Sequence, residues 1–330
     1  MIHGDHRRIL LERWLAGELR GARFTLTPAS EDASFRRYFR ATVEDGRSFV
    51  AMDAPPDKED CRPFVRIARL LQQAGVHAPE VHAQDLAAGF LLLSDLGTRT
   101  YLAELSGEMS SGNAGALMDD ATDALLRWQL ASRPGELPPY DEALLRRELN
   151  LFPEWYVARH RGVTLDARQA QALEAIFARL VKSALAQPQV YVHRDYMPRN
   201  LMVRDPNPGV LDFQDAVSGP ITYDVVSLLR DAFLSWEEER VLDWSVRYWE
   251  KAKRAGLPVD EDFGEFWRAL EWMGLQRHLK VLGIFARINY RDGKPKYLED
   301  TPRFIGYARS VATRYRELAP LAKLLDEIAP

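Results

Sequence analysis

The sequence predicts an α+β fold in two lobes: a small β-rich N-terminal lobe over residues 1–97 and a large, mostly helical C-terminal lobe over 98–330. Two observations carry this. Before residue 97 the apolar residues alternate as in strands, with one amphipathic helix among them. From Thr98 onward the period becomes helical almost everywhere, with one β-rich interruption at 190–213.

The elements follow in order. Residues 5–20 place Ile9, Leu10, Trp14, Leu15 and Leu19 on one helical face, and Gly21 stops that helix. Strands are expected at 24–27, 38–43 and 48–52, with a polar loop from Ala29 to Phe35 and a tight turn at Asp45-Gly46. Asp60 to Gln73 has Phe64, Ile67, Ala68 and Leu71 in helical register and ends at Gly75. Two further strands, 80–85 and 90–93, meet across Ala88-Gly89. Ser94-Asp95-Leu96-Gly97 breaks the pattern, and helices are expected at 114–131, 141–160, 166–186, 222–234, 237–255, 261–288 and 301–326.

Composition narrows the class. The hydrophobic share of 46% and charged share of 28% are those of a soluble globular chain. A net charge of −4, with arginines such as Arg7, Arg8, Arg13 and Arg20 interspersed with acids, gives no basic face for nucleic acid. Cys61 is the only cysteine, so no disulfide framework is expected and a reducing, cytoplasmic setting is the economical reading. Cys61 reads as a packing thiol of a helix and not as a nucleophile. Met1 to Leu11 has no long apolar region, and no apolar run reaches 18 residues, so neither a signal peptide nor a membrane span is expected.

The chemistry concentrates in the β-rich interruption. Val190-Tyr191-Val192 leads into His193-Arg194-Asp195, Asn200 follows before Leu201-Met202-Val203, and Gly209-Val210-Leu211 ends in Asp212-Phe213. A His-x-Asp, then Asn, then Asp after an apolar stub is the layout of a phosphoryl-transfer site of the kinase type. Asp195 would take the proton of the attacking hydroxyl, while Asn200 and Asp212 offer the hard oxygens that hold Mg2+ beside ATP phosphates. His193 reads as a structural residue of the loop, and Arg194 and Arg199 either touch phosphate or substrate or face solvent. The segment after Asp212 reaches Tyr223-Asp224 in about ten residues, with no Ala-Pro-Glu ending. A peptide platform does not fit in that length, so a small-molecule acceptor is expected.

On His193, Asp195, Asn200, Asp212-Phe213, Gly219-Pro220 and Tyr223-Asp224 the chain resembles the aminoglycoside phosphotransferase and choline kinase family, which has a bilobal protein-kinase-like fold. The resemblance covers roughly residues 23–320 and implies that Leu91 to Gly97 is the nucleotide hinge, with backbone at Ser94, Asp95 and Leu96 on the adenine edge. Asp224 would be structural at the site. Ser34 to Arg40, Met52 to Pro56 and Leu149 to Trp155 are similar to the anomeric sugar kinases of peptidoglycan recycling. Those enzymes phosphorylate the C1 hydroxyl of N-acetylmuramate and accept N-acetylglucosamine. That resemblance, and no spacing or periodicity, implies the sugar substrate and ATP as the small-molecule partners; a monomer is expected.

Two departures stand out. The third strand, Phe49-Val50-Ala51-Met52-Asp53, lacks the lysine that usually reaches the α- and β-phosphates, and Lys58 is the first lysine in the chain. Pro28 to Arg37 contains no glycine, so the glycine-rich loop is missing as well. The phosphate contacts are therefore expected from the backbone of 33–35, including Ser34 and Phe35, with Arg36 or Arg37; the alternative is a surface hairpin of alternating arginines. Glu148, Asn150, Trp155, Gln214 and Asp215 are the sugar-contact candidates by analogy, with core packing against Leu151 and Phe152 the alternative for Trp155. Two other functions remain open: another small-molecule kinase, of aminoglycoside or choline type, and a nucleotide-binding pseudokinase scaffold.

Overall fold

The backbone follows the strand and helix patterns closely in the first hundred residues. The computed structural model describes residues 5–30, 35–106 and 110–328. The chain forms two compact units: one holds residues up to 103 together with 199–215, the other 104–198 with 216 onward. The sequence predicts a division near residue 97 with 98–330 together; in the structure a 17-residue excursion, 199–215, groups with the N-terminal unit.

In the first unit, β1 (Phe24–Ser30), β2 (Arg37–Val43), β3 (Ser48–Asp53), β4 (Val81–Asp85) and β5 (Phe90–Ser94) form one antiparallel sheet in the order β1-β2-β3-β5-β4. Helix α1 (His6–Glu18) lays Leu11, Leu15 and Leu19 against Phe39, Val43, Ala51, Phe90 and Leu92. The expected face included Ile9, which is 49% exposed; the buried stripe runs through Leu11, Leu15 and Leu19 at four-residue steps, with Leu10 and Trp14 beside it. Helix α2 (Cys61–Gln73) starts where the Asp60 carboxylate accepts from the Arg62 N–H and buries Phe64, Ile67, Ala68 and Leu71 as the periodicity requires. The Cys61 thiol is buried too, and burial pushes its pKa up to about 11, as suits a packing residue. At the β4–β5 turn, Gly89 sits at φ +76, and a Cβ there would meet the Ala54 carbonyl oxygen at 1.8 Å. Only glycine fits that position.

The excursion 199–215 adds a short hairpin, β7 (Leu201–Met202) with β8 (Gly209–Val210). Val210 N–H donates to the His77 carbonyl and Val203 N–H to that of Arg99, tying the hairpin to the β-rich unit.

The second unit is helical: α3 (Tyr101–Ser106, its first residues in the first unit), α4 (Ser110–Leu130), α5 (Glu142–Leu151), α6 (Ala167–Ala186), α7 (Tyr223–Leu229), α8 (Glu238–Arg254), α9 (Phe263–Asp292), α10 (Thr301–Arg314) and α11 (Ala319–Ile328). Strands β6 (Gln189–Val192) and β9 (Val217–Pro220) pair antiparallel within it. The expected single helix 141–160 is α5 continued by a π-helix, 152–160, that starts with Pro153 in its first turn. Proline lacks the N–H that the α ladder needs, so the continuation is wider. The expected 301–326 helix is broken at Tyr315, which is extended at φ −115, ψ 120. Among the described residues no helix is long and apolar enough to cross a membrane.

Candidate active site

In the helical unit the β6–β9 pair delivers the loop at 193–198. Asp224, in the first turn of α7 and wholly buried, accepts from the backbone N–H of His193 at 2.6 Å and of Arg194 at 3.0 Å. Burial pushes its carboxyl up to about 7, against those two donors, and the nearby charge of Asp195 adds to the rise. His193 is buried, packs edge-on to Tyr196 and accepts the Asp195 N–H on Nδ1 at 3.2 Å. Arg194 stands at φ +76, a conformation that non-glycine residues hold only where surroundings impose it. The loop backbone is thus held from both sides while the Asp195 side chain stays half-exposed.

The Arg194 side chain turns inward. Glu148 on α5 receives Arg194 at 2.5 Å, Lys280 at 2.8 Å and the Tyr140 hydroxyl, and Lys280 also reaches the Tyr223 hydroxyl at 3.0 Å. Burial alone would raise the Glu148 pKa, but Lys280 and Arg194 overcome it and hold the carboxyl down at about 2. Glu148 is the ionised centre of a buried network. Its oxygens are engaged by Arg194, Lys280 and the Tyr140 hydroxyl.

In the β-rich unit the β7–β8 hairpin brings Asn200, just before β7, beside Asp212, just after β8. Leu211 N–H donates to the Asn200 carbonyl, and the Asn200 side-chain amide lies 3.5 Å from the Asp212 carboxylate. Asp212 sits at φ +62, accepts from Gln214 Nε2 at 3.0 Å, and has Arg36 at 3.9 Å. Gln214, a sugar candidate, is therefore turned onto Asp212, while Asp215 is exposed. A carbonyl oxygen from Asn200 and a carboxylate from Asp212 fit magnesium, the remaining positions being left for phosphate and water. Among the described residues no cluster of three or more His, Cys, Asp or Glu forms a ready-made metal cage.

A cavity of about 300 Å³ in this unit is lined by Ser94, Asp95 and Leu96, by apolar Val50, Met202 and Leu211, and by Arg40, Arg199, Asn200 and Asp212. Asp95 does not offer its side chain: the carboxylate accepts from Arg40 at 2.6 Å, Ser48 at 2.6 Å and Gly97 N–H at 2.9 Å. Burial opposes its ionisation, yet these donors keep its pKa below the usual value.

The remaining candidates are spread out. Arg36 is nine-tenths buried near Asp212, whereas Arg37 is committed to Asp5 and to the fully buried Asp53, which Arg7 also holds at 2.7 Å. Phe35 is exposed with Lys58 above its ring at 6.0 Å, and Ser34 lies outside the described residues. Asn150 is exposed and Trp155 half-buried on the π-helix. In its place Phe152 stacks on Tyr156, with ring centroids 5.6 Å apart. Arg40 and Lys280, whose partners Asp95 and Glu148 are distant in sequence, are not singled out by the sequence. Arg40 was accessible as the same-face neighbour of Tyr38 on β2, since both line the cavity. Lys280 carried no local signal, because its partner Glu148 is 132 residues away.

Residues 25–263 match the profile of the phosphotransferase enzyme family. A protein of Pseudomonas aeruginosa named N-acetylmuramate/N-acetylglucosamine kinase is 59% identical over 303 residues, which is 92% of this chain and 88% of that protein. One of the same name from Neisseria meningitidis serogroup B is 53% identical over 98% of this chain and 96% of its own length. Among solved structures, the streptomycin–ATP ternary complex of APH(2″)-IIa superposes with a TM-score of 0.61 over 92% of this chain and 97% of that one, at 16% identity, and so shares the fold. With the His-x-Asp loop, the Asn–Asp pair and the cavity already in place, the match across most of the length has one meaning: the chain belongs to the phosphotransferase enzyme family.

Proposed function

We propose that this protein is an ATP-dependent sugar kinase that phosphorylates the anomeric hydroxyl of N-acetylmuramate and N-acetylglucosamine, within cell-wall sugar recycling. The observation that carries the reading is the 53–59% identity, over nearly the whole chain, to relatives that bear that kinase name. ATP would lie with its adenine in the apolar slot between Val50 and Met202 and its edge on the backbone of 94–96. Its phosphates would point toward Arg36, Asn200 and Asp212.

In this reading Asp195 orients the anomeric hydroxyl and accepts its proton. That hydroxyl is more acidic than an ordinary alcohol, so a carboxylate suffices as the base. Asp224 holds the backbone N–H groups of His193 and Arg194, His193 Nδ1 accepts the Asp195 N–H, and Gln214 donates to the Asp212 carboxylate. Asn200 and Asp212 would hold magnesium, which when bound neutralises the triphosphate charge that repels the acids around it. Arg36 stands in for the missing third-strand lysine.

The test is direct. Incubation with magnesium-ATP and a panel of sugars, aminoglycosides and choline, followed by NMR of the product, is expected to show a sugar 1-phosphate. Asp195→Asn should lower kcat about 10²–10⁴-fold with the fold retained. Phosphate on any atom but O1, or normal turnover in that variant, refutes the assignment.

A further inference from the structure

Among the described residues of the helical unit, Arg287 has no acid within ion-pair distance and a buried Nε without a hydrogen-bond partner. Helix α9 and the α5–π-helix segment run side by side and in step. Lys280 is 2.8 Å from Glu148, a Cβ on Gly283 would lie 2.3–2.5 Å from atoms of Leu151, and the Tyr290 hydroxyl is 3.3 Å from His160 Nδ1. The same step places the turn of Arg287 beside the turn of Trp155. Arg287 is half-buried, and its Nε is buried without a hydrogen-bond partner. No carboxylate forms an ion pair with it among the described residues, and the nearby Asp292 is held by Arg291 at 2.7 and 2.9 Å.

By contrast Arg194 and Lys280 share Glu148, and the buried Arg277 donates to the Arg230 carbonyl at 3.3 Å. Burial and the like charge of Arg291 depress the Arg287 pKa, which shows that its surroundings do not stabilise the cation. A partly desolvated guanidinium with no partner is costly unless an anion arrives to accept from its fork of donors. Trp155, half-buried alongside, offers a flat apolar face. Lys280, seven residues before Arg287 on the same helix face, lies in the field of Asp195. Seven residues of helix span about 10 Å, the reach of a pyranose with a branched acid on its ring.

We propose that Arg287 is a specificity-determining residue, receiving the carboxylate of the lactyl ether at C3 of N-acetylmuramate while Trp155 underlies the sugar ring. The proposal rests on the sugar-kinase reading above. N-Acetylglucosamine carries only a hydroxyl at that position and leaves the guanidinium to water, so both sugars enter but only one uses the arginine.

The test compares kcat/KM on the two sugars for wild type, Arg287→Gln and Arg287→Lys. In Arg287→Gln the ratio of N-acetylmuramate to N-acetylglucosamine efficiency should fall about 10- to 100-fold, chiefly through the N-acetylmuramate KM, the scale of a lost charged hydrogen bond. Arg287→Lys should recover part of the ratio, and decides the matter if the glutamine variant does not fold. A ratio unchanged in the folded variants overturns the role of Arg287 and leaves the kinase reading intact. Wild-type protein that phosphorylates neither sugar overturns both.

Discussion

The Glu148 carboxylate is the ionised centre of a buried network with Lys280, Arg194 and the Tyr140 hydroxyl. Its folded pKa is depressed from 4.5 to about 2, so its contribution is complete above pH 4.5 and is lost as pH falls toward 2. That shift corresponds to on the order of 3 kcal/mol. Glu148→Gln would leave Lys280 and Arg194 buried without a counter-charge and should cost about 3–5 kcal/mol at pH 7 in urea titrations. The penalty should shrink between pH 4.5 and 3; a penalty equal at both would show that the ion pairs are not its source. Arg36 and Arg37, adjacent in sequence, should separate in the same way. Arg36→Ala should raise the KM for ATP about tenfold or more with little change in stability, since its neighbour is the half-exposed Asp212. Arg37→Ala leaves the buried Asp53 with Arg7 alone and should lower stability by about 1–3 kcal/mol with little effect on that KM. An unchanged KM for ATP in both variants removes the arginines from the phosphate site.

At the scale of elements, the joint between α9 and the start of the π-helix is the most constrained. Gly283 lets the two backbones touch, and the register that pairs Lys280 with Glu148 depends on that closeness. Gly283→Ala should destabilise by about 1–3 kcal/mol or more, because the atoms in its way belong to the Leu151 backbone and cannot rotate aside. Chemical denaturation measures this directly, and a neutral effect would mean that the helices separate at low cost. The β7–β8 hairpin is the second such element. It is only two residues long on each side, yet it sets Asn200 and Asp212 across from one another, and its hold on the sheet comes from backbone bonds to His77 and Arg99.

At the scale of the molecule, the proposed metal site has two protein side chains, Asn200 and Asp212, and among the described residues no group of three or more His, Cys, Asp or Glu forms a metal cage. Magnesium alone should therefore leave the melting temperature nearly unchanged, whereas magnesium with ATP should raise it by an amount that grows with nucleotide concentration. EDTA should abolish turnover, and excess magnesium should restore it. A large shift with magnesium alone would point to further metal ligands. Much of the β-rich unit was legible in sequence, because strands of a one-sided sheet and an amphipathic helix write their burial into short periods. Phe64, Ile67, Ala68 and Leu71 are buried as their spacing requires. Residues whose partners are distant were not legible, and Trp155 and Glu148 could not be sorted between core, network and ligand from neighbours alone.

The sequence by itself determined the order of elements, the kinase-type loop and the small-molecule length of the segment after Asp212, since each depends on local spacing and residue type. The tertiary structure decided that Asp224 anchors the Asp195 loop, that Arg40 pins Asp95, that Arg37 belongs to Asp53, and that Arg287 has no acid partner among the described residues. Those decisions are electrostatic. A buried charge is defined by what surrounds it in space, and in this chain the surrounding groups lie up to 132 residues away.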